Sequence, residues 1–64
     1  MSLKEQIIAV RDSGKTNMLD SRTVQYIANE MNFYELVIFI EEHRDRYSKF
    51  ILTGDEKYLS VSDK

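Results

Sequence analysis

The sequence predicts an all-α fold, a small three-helix bundle with a long C-terminal helix and a short mobile tail. Three observations lead there. The 64 residues contain no proline and two glycines, and are rich in Leu, Ile, Glu, Lys and Arg, which favours helices over loop-rich or sandwich folds. Apolar residues recur at three- and four-residue spacing in three separate stretches, the mark of helices with one buried face. The two glycines, Gly14 and Gly54, stand where the first and last of these stripes stop, as left-handed helix caps do. A chain this short forms one domain, read as residues 1–54 with a tail over 55–64.

The first helix is predicted over about residues 3–12. Ser2 and Glu5 have capping-box spacing, which satisfies two amides that a helix start leaves unpaired. Leu3, Ile7 and Val10 share a narrow stripe with Ile8 beside it. Residues 14–19 read as the connection, with Asp20 as the preferred N-cap of a second helix over 20–31. Val24, Ile27, Ala28 and Met31 follow the i, i+3, i+4, i+7 pattern, and Asn32, which tolerates the left-handed conformation, is the expected stop. The third helix is predicted over 33–52, with Phe33, Leu36, Ile40, His43, Tyr47, Phe50 and Ile51 on one stripe and Phe39 at its margin. The tail is polar with Tyr58, Leu59 and Val61 embedded, so it either frays or docks. A hairpin around Gly54 is the competing reading, disfavoured by the continuity of the stripe through Phe50 and Ile51.

One feature exceeds what a simple bundle needs. Five apolar residues run consecutively from Leu36 to Ile40, so Val37 and Ile38, with Tyr34, point away from the main stripe. A helix that is apolar all round is normally buried all round. The first helix, the tail residues or a second copy of the chain must cover that face.

Composition excludes several classes. Without cysteine there are no disulfides and no thiolate zinc sites. A formal charge of −2 lacks the basic footprint of a nucleic-acid binder. No apolar run approaches the roughly 20 residues of a membrane span, and no signal-peptide pattern opens the chain, so a cytoplasmic location is expected.

The motifs that suggest chemistry are incomplete. Ser13-Gly14-Lys15-Thr16 resembles the end of a phosphate-binding loop, but Ala9 stands where the first glycine belongs and a helix, not a strand, leads in. His43 is the single histidine, beside Glu41, Glu42 and Asp45, yet a helix spreads neighbours around its axis, so a core or boundary histidine is expected. No carboxylate pair sits in an apolar pocket that would separate two pKa values. No catalytic residue, metal ligand or cofactor is therefore expected. The succession of two helices across a tight turn suggests DNA binding, but the start of the third helix is acidic and apolar where a recognition helix needs polar and basic groups. Arg44, Arg46 and Lys49 are the candidate contacts of that alternative reading. Tyr26, Tyr34, Val37 and Ile38 form the candidate protein-interaction surface, aromatic residues being enriched at interfaces.

At RDSGKTNMLD (11–20), YIANEMNFYELVIFIEEHR (26–44) and YSKFILTG (47–54) the chain resembles a family of small uncharacterised proteins. These proteins occur in bacteriophages, prophages and mobile elements of Gram-positive bacteria. The resemblance covers nearly all but the last ten residues and implies a domain of unknown function in a phage-like setting. It transfers no functional residue. The expected function is a non-enzymatic protein-interaction module that pairs with itself as a homodimer or binds another protein. The alternative is a small DNA-associated regulatory or packaging accessory protein acting as a dimer.

Overall fold

The structure, a computed structural model, describes residues 2–14 and 16–60. Helix α1, Leu3–Ser13, starts where the predicted capping box closes: the Glu5 amide donates to Ser2 Oγ at 3.1 Å and the Ser2 amide to Glu5 Oε1 at 2.9 Å. It ends at Gly14, whose φ of 69° is the left-handed value that costs glycine nothing. Asn17 then shapes the connection, taking the Leu19 amide on its side chain at 2.8 Å.

Helix α2, Ser21–Glu30, is capped by Asp20, which accepts the Thr23 amide and hydroxyl. Its other end is a Schellman motif. Asn32 adopts φ 65°, its amide donates to the Asn29 carbonyl at 3.1 Å, and the Phe33 amide donates to the Ala28 carbonyl at 2.8 Å. The predicted stop is therefore the observed one.

The long third helix is not one helix. Residues 33–52 divide into α3, Tyr34–Glu42, and α4, Arg44–Thr53, at His43, whose φ of −138° and ψ of 52° lie outside the helical region. No proline or glycine forces this break; length explains it. A straight helix over 20 residues would be about 30 Å long, roughly twice the length of either neighbour. With α1 only 11 residues and α2 only 10 residues long, half of its stripe would find nothing to cover it. Breaking at His43 makes two helices that match α1 and α2 in length and pack across each other. Among the described residues the architecture is four short α-helices and a 3₁₀ turn, not three α-helices with one long.

The core collects Ile7 and Val10 from α1, Val24, Ile27 and Ala28 from α2, Leu36, Phe39 and Ile40 from α3, and Tyr47 and Phe50 from α4. Phe39, marginal on a straight stripe, is buried because α3 and α4 no longer share one face. Met31, Phe33 and Ile51 pack on the core but stay partly exposed. Truncating a fully buried residue such as Leu36 to alanine would cost about 2–5 kcal/mol.

The tail is not simply mobile. Glu56–Leu59 forms a 3₁₀ turn against α4 and α1. No hairpin forms, since there is no strand among the described residues, and Val61 lies outside them.

Candidate functional site

The fold separates the four residues of the expected interaction surface, Tyr26, Tyr34, Val37 and Ile38. Tyr26 and Val37 meet in a shallow groove between α2 and α3, rimmed by Arg22 and Glu41. Tyr26 is 63% exposed. The Glu30 carboxylate one turn on, as a hydrogen-bond acceptor for the hydroxyl and as a nearby negative charge, raises its pKa. Val37 is half-buried against the core, and its carbonyl accepts from Gln25 Nε2 at 3.1 Å. Tyr34, 56% exposed, turns its hydroxyl back to Asn32 Oδ1 at 2.8 Å.

Ile38 lies elsewhere. It is 56% exposed and lines a groove of about 310 Å³ with Leu3, Phe39 and Leu59, bordered by Glu35, Glu42 and His43. The second apolar face of α3 is thus partly covered from within: Leu3 and Leu59 flank Ile38 without enclosing it. The sequence names the first helix and the tail as candidates to cover this face; that Leu3 and Leu59 leave an open groove around Ile38 depends on the tertiary packing. His43 is half-buried, its ring 5.7 Å from that of Phe39.

A third groove, about 290 Å³, runs between α1 and α4 over Ile7, Ile8, Met18, Phe50 and Ile51, with Lys4 and Arg11 at its edge. Sequence reasoning missed this one, although Ile8 stood beside the predicted stripe. Ile7 and Phe50 are buried at its floor, and Ile8 stays half-buried.

The three basic candidates do not form a common patch. Arg44 donates to Ser21 Oγ at 2.7 Å and Gln25 Oε1 at 3.3 Å, tying α4 to α2. Arg46 donates to the carbonyls of Tyr58, Lys57 and Ser60 at 3.2, 3.4 and 3.3 Å, so it holds the 3₁₀ turn. Lys49 is exposed, with its ammonium 5.9 Å from the centre of the Tyr58 ring.

The phosphate-loop-like string closes a helix instead of opening one. Ser13 is the last residue of α1 and Gly14 its left-handed cap, so the helix presents carbonyls there, the wrong polarity for a phosphate. Lys15 lies outside the described residues. Among the described residues no three His, Cys, Asp or Glu side chains are grouped to hold a metal ion, and no helix is long and apolar enough to cross a membrane.

Comparison with known families assigns the chain. Residues 1–55 match the model described as "Domain of unknown function (DUF5049)". The chain belongs to this family. No curated protein and no solved structure matches it. The matched span of the DUF5049 domain stops just before the 3₁₀ turn, so Arg46 and Lys4 hold a segment that lies beyond it.

Proposed function

We propose that this chain is a non-enzymatic protein-interaction module that associates with itself and serves a phage or prophage as an accessory protein in the cytoplasm of a bacterial host. The observation that carries the interaction reading is Ile38, a large aliphatic side chain 56% exposed in an apolar groove between acidic residues. Single exposed aliphatic residues are ordinary. One seated in a groove with Leu3, Phe39 and Leu59 extends to a surface that a partner side chain can fill. The phage setting rests on the resemblance of the three sequence strings. The non-enzymatic reading rests on the open grooves and on acidic side chains spread around the helices. A DNA-associated role has less to stand on, since Arg44 and Arg46 spend their guanidinium donors inside the molecule.

The test is the solution mass by light scattering over a concentration series, for the parent and an Ile38→Glu variant. A parent that gains mass with concentration beside a folded, monomeric variant supports the reading. A parent that stays monomeric throughout, or a variant that associates as well as the parent, overturns it.

A further inference from the structure

Helix α1 carries Lys4, Ile8 and Arg11 at spacing four then three. Helix α3 carries Glu35, Ile38 and Glu42 at spacing three then four. At 100° per residue each triplet falls within an arc of about 60°, so each forms one short face, basic–apolar–basic on α1 and acidic–apolar–acidic on α3. Run antiparallel, the spacings coincide: Lys4 meets Glu42, Ile8 meets Ile38, and Arg11 meets Glu35. Within one molecule these faces do not meet, because Ile8 lines the groove against α4 while Ile38 lines the groove against Leu3 and Leu59.

We propose that a second copy of this chain is the occupant, with α1 of one copy laid antiparallel on α3 of the next. This rests on the self-associating reading above and specifies its interface. Ile8 is half-buried in its groove and the charged groups are exposed. Glu35 accepts from Gln6 at 3.2 Å and Arg11 pairs with Asp12 at 3.4 Å, each with acceptors or donors left over. Ile38 and the side chains of Lys4 and Arg11 are 56%, 45% and 62% exposed. Glu35 and Glu42 are both exposed. Lys4 already binds Glu56 at 2.6 Å, and an ammonium has three donors, so two remain. Apolar contact at the centre with charges outside it sets register and orientation, as flanking charges do in helical pairs. The pairing closes as a two-fold dimer when both contacts form between the same two copies, and continues head to tail when they form with different copies.

Reciprocal charge reversal tests this. Lys4→Glu puts an acid in the first turn of α1 and Glu42→Lys a base in the last turn of α3, both favourable to their helix ends, so both variants should keep the parent's helical signal. Each alone should lose the concentration-dependent gain in mass, since its altered face then repels the unaltered partner face. An equimolar mixture should recover it, because both contacts between unlike copies are then complementary. Loss of the Lys4–Glu56 contact cannot produce that recovery. If the parent associates but either single variant associates equally well, or if the mixture stays monomeric, this interface is wrong and self-association stands. A parent monomeric at every concentration overturns both.

Discussion

Gln6 caps a helix to which it does not belong. Its Oε1 accepts the amide of Leu36 at 3.2 Å, and its Nε2 donates to Glu35 Oε1 at 3.2 Å. Helix α3 needs this, because Phe33 occupies its N-cap position and makes no side-chain cap bond. The Leu36 amide is one of the unpaired donors of a helix start, and it is buried. A polar side chain only 7% exposed in α1 therefore fixes where α3 begins.

Gln6→Leu keeps the bulk and removes both bonds, leaving that amide unsatisfied. It should lower stability by about 1–3 kcal/mol, read as a fall in the urea midpoint at unchanged slope. A midpoint equal to the parent's would mean that the amide does not depend on Gln6.

Tyr47 is fully buried, and its hydroxyl donates to the Met18 carbonyl at 2.7 Å, pinning the α1–α2 connection to α4. Burial raises its pKa well above the ordinary phenol value of about 10. Above that value the unfolded chain releases a proton that the folded one keeps, so the stability held by Tyr47 is intact below about pH 10 and falls as pH rises further. In an alkaline titration one tyrosine's worth of phenolate absorbance should appear only as the helical signal collapses. Tyr47→Phe should delete that late step and cost about 1 kcal/mol at neutral pH through the lost bond. A late step that survives the substitution would assign it to another tyrosine.

Asn32 holds a left-handed conformation at φ 65° between α2 and α3. Asn32→Gly should leave stability equal or slightly higher, because glycine adopts this region freely. Asn32→Val should lower it by about 1–2 kcal/mol, since a β-branched side chain crowds the backbone there. Thermal unfolding of the two variants side by side checks the ordering. Equal losses would point to the Asn32–Tyr34 side-chain bond as the element that matters.

Arg46 is the clasp of the 3₁₀ turn. Replacing it with lysine keeps the charge but not a planar fork that reaches three carbonyls. Hydrogen exchange at the Tyr58 and Ser60 amides, which close the turn, should speed up roughly tenfold, equivalent to about 1.4 kcal/mol, while amides in α2 stay as slow as in the parent. Uniform acceleration throughout would show instead that Arg46 supports the whole fold.

Much of this architecture was legible from short stretches. Ser2 with Glu5, Gly14, Asp20, Asn32 and Gly54 mark helix ends through hydrogen bonds that close within a few residues, so the local string contains both partners. The stripe Val24–Ile27–Ala28 identified the buried face of α2 because the helical period alone selects it. The same period turned Tyr26 away from that face, and it placed Ile38 off the main stripe without deciding whether it is exposed. The grooves were legible only in part: the first helix and the tail were candidates to cover the second face of the third helix, but the residues that would meet there were not identified. Ile38 is joined by Leu3 and Leu59, and Ile8 by Met18 and Ile51, and no periodicity links residues so far apart in the chain.

The sequence by itself determined that the chain is helical, where α1 and α2 begin and end, and which apolar residues of those two helices turn inward. Only the tertiary structure decided that residues 33–52 bend at His43, because no residue there is a poor helix former by enough to stop a helix. What the local string does not show is how much of the apolar stripe over 33–52 α1 and α2 can cover, since their packing against it exists only in the folded chain. Tertiary structure also decided that Gln6 caps α3 and that Arg46 binds the tail. Those partners, 30 residues apart in the first case and 11 to 14 in the second, meet only once the chain has folded. Hydrogen bonds within a turn can be read from the string; those between elements depend on which faces the apolar residues have already brought together.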